Sequence, residues 1–209
     1  IKLAFDQYQL MGLLGFILKV SSFLFKKTLL ALNLSNQSIK ALANQNNIPY
    51  LNVKSVNDQK SISMLKKLKP DIVITQVPEK INKDVLKTAK FGFINKHASL
   101  LPNYKGVQPV FWALLNNEEE LGYSFHFMDS EFDEGRLLFQ KKININKGMS
   151  VEKIYEEIFK SSGISLVDLI TNLESKKIKP IKQQKKGSYF SNPTKKDIAK
   201  FKNKKLRYI

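Results

Sequence analysis

The chain has no cysteine, which excludes disulfides, thiolate nucleophiles and cysteine-ligated zinc. Without cysteine, a reducing, cytoplasmic compartment is the natural expectation. Its two histidines, His97 and His126, are too few for a histidine-rich metal site, and no metal is expected. No Gly-x-Gly-x-x-Gly or Gly-x-x-x-x-Gly-Lys segment occurs, so the loops that cradle dinucleotides and triphosphates are missing. Long apolar runs are also scarce. The best, Leu10 to Leu18 continuing past Lys19 to Phe25, is preceded by Asp6 and interrupted by a lysine. It falls short of the roughly 20 apolar residues of a membrane span, and no small-residue cleavage site follows it. A buried or subunit-contact helix is expected there, with neither a span nor a signal peptide. The chain opens at Ile1 rather than Met, so further leading residues are expected.

Acid is in short supply as well, with 18 Asp and Glu against 35 Lys and Arg in 209 residues. The imbalance is local. From Ser175 to Ile209 there are 13 basic residues and one acid, Asp197, which puts +12 of the net +17 on that segment and leaves +5 for residues 1–174. Such a segment attracts polyanions generally, including RNA, an anionic membrane, a pyrophosphate or a polyglutamylated cofactor, or it is simply a solvated surface. The 43% hydrophobic content suffices for one domain, read as a core over 1–174 with a short basic appendage over 175–209.

Short β-rich runs alternate with helical patterns, which predicts an α/β fold: a mostly parallel twisted sheet flanked by helices. Strands are expected at Ile1–Phe5, Thr28–Asn33, Tyr50–Val53, Asp71–Thr75 and Gly92–Asn95, with helices at about 37–45 and 58–68. Lys69-Pro70 should stop the second helix, and Asp71–Thr75 reads as a central strand. Further on, a helix is expected over Gln108–Asn116, then strands at Tyr123–Phe127 and Arg136–Lys142 joined by an acidic loop, 129–135. Ser150 is the predicted N-cap of a long amphipathic helix with Val151, Ile154, Ile158, Leu166, Ile170 and Leu173 near one face.

The chemistry concentrates at the end of the 92–95 strand, the rim where open α/β sheets bind ligands. Asn95 and His97 stand two residues apart before a turn at Gly106, and Asp133 follows His97 by 36 residues. An amide donor, an imidazole and a carboxylate around one carbonyl suit acyl transfer. His97 serves either as the base or as a second donor to the oxyanion. His126 is expected to play a structural or supporting part, and Phe111 and Trp112 to be core.

The segments "FGFINKHASLLPNYKG" and "LGYSFHFMDSEFDEGRLLFQ" resemble the 10-formyltetrahydrofolate-dependent formyltransferases, over roughly Pro70 to Gly163. The resemblance implies a Rossmann-like domain, Asn95, His97 and Asp133 as the catalytic triad, and 10-formyltetrahydrofolate as co-substrate with no metal. It implies a folate site at Val77, Pro78, Glu79 and Ile81 and at Asp129 and Asp133, built largely from main-chain groups. One departure is Glu131, which stands where the acidic loop's first glycine is usual.

Three branches compete for the acceptor. A glycinamide ribonucleotide transformylase would carry a phosphate loop where Asp6–Leu10 stands, and a methionyl-tRNA formyltransferase a C-terminal barrel longer than 175–209. The chain is most similar to the sugar N-formyltransferases, whose closing segment resembles "GSYFSNPTKKDIAKFKNKKLRYI". That implies transfer to the primary amine of a nucleotide-linked amino sugar, such as dTDP-4-amino-4,6-dideoxyglucose, for O-antigen or other surface lipopolysaccharide. Substrate contacts would fall on Tyr104, Lys105 and Gln108, with Lys105 meeting a pyrophosphate. No nucleic-acid partner is expected, and a homodimer is. A catalytically idle formyltransferase-like binding domain is the alternative of a different class.

Overall fold

The computed structural model describes residues 11, 17, 19–21, 38–77, 79–129, 131–146, 148–183 and 186–209. Contacts divide the chain into two compact units, Ile1–Lys54 and Ser55–Ile209. The strands expected at Ile1–Phe5 and Thr28–Asn33 lie outside the described residues. In the first unit, helix α1 (Ile39–Gln45) is capped by Ser38, whose hydroxyl accepts from the Ala41 N–H at 3.0 Å. Tyr50–Val53 is irregular and mostly exposed rather than a strand, and no described strand pairs with it. Among the described residues no helix is long and apolar enough to cross a membrane.

The second unit begins with α2 (Gln59–Leu68), whose N-cap Asp58 accepts from the Ser61 N–H at 2.7 Å. That bond holds the Asp58 carboxyl below its usual range. Lys69 ends the helix in a left-handed conformation at φ 47°, and Pro70 prevents its resumption. Strand β1 (Ile72–Thr75) follows, then the short α3 (Lys83–Leu86) and β2 (Gly92–His97). Ile62, Ile81, Val85, Ala89 and Phe93 close a buried core beneath these elements.

Next come the two-residue β3 (Lys105–Gly106), α4 (Pro109–Leu115), β4 (Leu121–Phe127), β5 (Leu137–Ile143) and α5 (Val151–Glu174). The main sheet runs β1-β2-β4-β5. β1 and β2 are parallel, while β2–β4 and β4–β5 are antiparallel. The α/β expectation holds, as a mixed sheet rather than a mostly parallel one among the described strands. The short link from β4 to β5 explains the reversal, since a parallel return would need a crossover of a dozen residues or more. β1, read as central, stands at one end of the described sheet.

Ser150 caps α5 as expected, accepting from the Lys153 N–H at 3.2 Å. Val151, Ile154 and Ile158 are buried, but the seam then runs through Ser162, Ser165 and Leu169 instead of Leu166, Ile170 and Leu173. Tyr123 explains Ser165, since its hydroxyl bonds Ser165 at 2.7 Å and Ser161 at 3.1 Å, while Ser162 donates to the Phe159 carbonyl at 3.2 Å. An aromatic with a polar tip selects small polar partners.

The segment expected as an appendage is mostly exposed but is tied to the rest of its unit at several points. Strand β6 (Tyr189–Phe190) pairs in parallel with β3. Helix α6 (Lys195–Asn203) starts with a reciprocal Thr194–Asp197 capping box. The carbonyls of Arg207 and Tyr208 accept from the Val151 and Glu152 N–H groups, at 3.0 and 2.9 Å, satisfying donors that the first turn of α5 leaves free. Phe190 stacks between Tyr104 and Trp112, and Phe201, 2% exposed, stacks on Phe111 at 4.5 Å. Phe201→Ala is expected to destabilise the protein by about 3–5 kcal/mol, since a buried ring leaves a cavity. The denaturant midpoint measures it, and a loss below about 1 kcal/mol would contradict this packing.

Candidate active site

Strand alternation turns Asn95 and His97 to the same face of β2. Antiparallel pairing sets Asn95 opposite His126 and His97 opposite Ser124. Asp133 arrives from the loop between β4 and β5, with its own backbone left-handed at φ 55°. The three expected residues meet. Asp133 Oδ2 lies 3.5 Å from His97 Nδ1, and Oδ1 lies 3.5 Å from Asn95 Nδ2 and 3.4 Å from His126 Nε2. The Gly106 N–H donates to Oδ2 at 2.9 Å.

Main-chain carbonyls decide which ring nitrogens carry protons, because a carbonyl only accepts. His97 Nε2 is 2.7 Å from the Tyr104 carbonyl and therefore carries the proton that it donates there. His126 Nδ1 donates to the Phe127 carbonyl at 2.8 Å. The remaining nitrogens, His97 Nδ1 and His126 Nε2, both face Asp133. Asn95 Nδ2 donates to His126 Nε2 at 3.3 Å, which leaves His97 Nδ1 as the bare imidazole nitrogen at the site.

Burial drives the His97 pKa below its ordinary value, outweighing the nearby Asp133 carboxylate and the Tyr104 carbonyl. Burial pushes the Asp133 carboxyl up, but the hydrogen bonds it accepts, the Gly106 N–H among them, hold it below the usual carboxylate range. At neutral pH the site therefore presents a neutral imidazole lone pair beside an ionised carboxylate.

The surrounding cleft has a volume of about 410 Å³ and is lined by Asn95, His97, His126 and Asp133 at its polar end, and by Val77, Ile81, Met128 and Phe132 elsewhere. Glu79, Gln108 and Asp129 also line it, whereas Pro78 lies outside the described residues. The Glu79 carboxylate is committed to the 55–57 turn, taking the Val56 N–H at 2.9 Å and the Ser55 hydroxyl at 2.7 Å, which lower its pKa.

Two expected substrate contacts stand elsewhere. Lys105, expected at a pyrophosphate, is 2% exposed, with its ammonium 2.6 Å from Glu134 and 3.0 Å from the Lys186 carbonyl. A cation buried between two acceptors is not free for a ligand. Tyr104 is buried, its hydroxyl donating to Glu118 at 2.6 Å. Burial and that carboxylate push its pKa up to about 12. Its contribution is the carbonyl held at φ 58° toward His97.

Gln183 was not foreseen, and its sequence context gives no signal for it. Its amide donates to the Asp133 and Gly135 carbonyls at 2.8 Å each, fixing the loop that carries the carboxylate. Gly135 is required where it stands, because a Cβ there would lie 1.7 Å from the Phe127 carbonyl oxygen. Gln183→Met, similar in volume but without donors, is expected to cost about 1–3 kcal/mol. Hydrogen–deuterium exchange should rise across 129–135, and unchanged protection there would refute the anchoring. Among the described residues no group of three or more His, Asp or Glu side chains could hold a metal ion.

Residues 24–170 match the Formyl transferase family. The chain is 34% identical over 169 residues to the methionyl-tRNA formyltransferase of Clostridium tetani, covering 80% of this chain and 54% of that protein. It thus spans about half the length of the curated relatives it matches. Among solved structures, it resembles the formyltransferase PseJ from Anoxybacillus kamchatkensis, in complex with UDP-4,6-dideoxy-4-formamido-L-AltNAc and tetrahydrofolate. The TM-score is 0.60 at 24% identity, covering 74% of this chain and 82% of that one. The N-formyltransferase from Helicobacter canadensis, in complex with folinic acid and dTDP-3-aminofucose, matches at a TM-score of 0.61 and 22% identity, covering 82% and 67%. With the Asn95–His97–Asp133 cluster lying inside the matched residues, the chain belongs to the formyl transferase family.

Proposed function

We propose that the protein transfers a formyl group from 10-formyltetrahydrofolate to the primary amine of a nucleotide-linked amino sugar. The observation that carries this reading is the convergence of a bare imidazole nitrogen, an ionised carboxylate and an amide donor at the end of one cleft. The neutral amine attacks the formyl carbon and sheds a proton as the new C–N bond forms, and the tetrahedral oxyanion that follows needs a donor. Its collapse breaks the bond to the folate nitrogen, which leaves with that proton. His97 Nδ1 takes the proton in this reading, since its Nε2–H is committed to Tyr104. Asp133 holds the attacking amine and balances the imidazolium as it forms. The Asn95 amide, the donor nearest both, serves the oxyanion.

The cleft's volume is in the range of small-molecule sites, and its apolar wall of Val77, Ile81 and Met128 fits a flat pterin. Val77 and Asp129 would offer it main-chain groups, with Glu79 and Ile81 shaping the loop between. The folate supplies the formyl group; this chain's residues orient it and move the proton. Gln108 at the cleft wall is the best-placed acceptor contact. The same reading takes the enzyme as cytoplasmic, homodimeric and engaged in surface-polysaccharide synthesis.

Two observations favour different acceptors. Solved relatives bound to nucleotide sugars share the fold, and Tyr189, from the 175–209 segment, lines the cleft in this chain. The curated relatives at higher identity act on methionyl-tRNA by name, which keeps that acceptor as the second reading. Incubation with 10-formyltetrahydrofolate and a panel of dTDP-, UDP- and GDP-linked amino sugars, with Met-tRNA in a separate arm, separates them. Tetrahydrofolate release with a sugar is the expected result. Release with Met-tRNA alone would overturn the sugar acceptor, and release with neither would overturn the activity.

A further inference from the structure

The alternation that turns Asn95 and His97 to the cleft turns Lys96 to the opposite face of the sheet. There it borders a second cavity of about 280 Å³, lined by Ile74, Gln76, Phe125, Phe159 and Leu166. The Lys96 ammonium sits 3.4 Å from the centre of the Phe159 ring, and among the described residues no carboxylate pairs with it. β1 brings no acid to this face. On α5, Glu156 and Glu157 are engaged by Lys153 and Lys160. His126 on β4 faces Asp133, on the other side of the sheet.

We propose that Lys96 is a covalent acylation site, its ε-amine taking an acyl group from a small acyl phosphate that enters this cavity. The amine nitrogen attacks the acyl carbon. A C–N bond forms, the C–O bond to phosphate breaks, phosphate leaves with the electron pair, and the ammonium proton goes to solvent. The product suits the place better than the reactant, because a neutral amide costs less to bury than an ammonium and its acyl chain packs on Phe159 and Leu166. Two effects oppose each other in the free lysine. The ring attracts the ammonium, while burial disfavours it and dominates, bringing the pKa down to about 8. Much of the amine is then unprotonated under conditions where surface lysines are almost wholly charged.

The test treats the full chain with acetyl phosphate for a short time and quantifies each acetylated lysine by peptide mass spectrometry. At about pH 8, Lys96 is expected to react about tenfold faster than the exposed Lys66, because a free-amine fraction roughly a hundredfold above that of an ordinary lysine is partly offset by the weaker nucleophilicity of a less basic amine. A rate equal to or below that of Lys66 overturns the proposal. The Lys96 rate should level off above about pH 8, and a rate still climbing at about pH 10, as for a surface lysine, also overturns it. Phe159→Ala opens the cavity to water and should bring Lys96 down to the Lys66 rate, whereas an unchanged ratio counts against the cavity's role. If that variant does not fold, the wild-type pH profile still decides.

Discussion

Asp133→Asn is expected to lower kcat by about a thousandfold while leaving the fold and its thermal midpoint nearly unchanged. The backbone reason for a quiet fold is specific. Asp133 sits at φ 55°, a left-handed conformation that asparagine tolerates better than most residues. The side-chain carbonyl of asparagine can keep the Gly106 N–H bond, and the Gln183 bonds go to main-chain carbonyls that the substitution does not touch. What disappears is the charge. Without it, nothing holds the attacking amine at Oδ2 or balances the imidazolium on His97. Circular dichroism and single-turnover kinetics with formyl donor and acceptor measure the two halves separately. A variant with wild-type melting and wild-type turnover would remove Asp133 from the chemistry, and one that fails to fold would show that its role is structural.

His97→Asn carries the second large effect, again about a thousandfold in kcat, and adds a signature in pH. The wild-type rate should be level through neutral pH and fall on the acid side as His97 takes up a proton. Burial sets that fall below the ordinary histidine value of about 6.5. The sign follows from the role, since a base works only unprotonated and acid removes it. Asp133 cannot imitate this limb, because its pKa lies below the usual carboxylate range. In His97→Asn the limb should vanish, with the residual rate level down to the range where carboxylates titrate. An acid limb that persists unchanged in the variant would assign the titration to another group and leave His97 as an orienting residue.

Both expectations depend on a proton assignment that no motif carries. "Asn-x-His" places an amide and an imidazole on one face of a strand, and the two-residue period is enough to read that from sequence. It leaves open whether the ring serves as base or as donor. The choice is made by Tyr104, whose carbonyl, held left-handed by its Ser188 bond and the stack on Phe190, claims the Nε2 proton. Ser188 and Phe190 lie more than eighty residues along the chain from Tyr104, so no local pattern announces the contact.

Lys105 shows the same limit. The family resemblance reads Lys105 as a phosphate contact, and its residue type agrees with that. Glu134 and the Lys186 carbonyl claim its ammonium instead, because β3 pairs with β6 and brings the 186–190 stretch over it. Residues 175–209 looked like an appendage for a related reason. Their composition is polar and basic, and few positions are apolar. Yet Phe190 and Phe201 stack on Trp112 and Phe111 of α4, and Ile198 is buried as well.

The sequence by itself determined the helix near 58–68, the Ser150 cap of the long helix and the strands around the site, because those signals lie within a few residues of one another. It also determined the trio Asn95, His97 and Asp133, whose residue types and spacing point to acyl transfer. Only the tertiary structure decided the mixed direction of the sheet, the burial of Lys105, the anchoring of the acidic loop by Gln183 and the free nitrogen of His97. Each of these rests on a hydrogen bond or strand pairing between segments distant along the chain, and such a partner is chosen by the packing of the whole rather than by the local sequence.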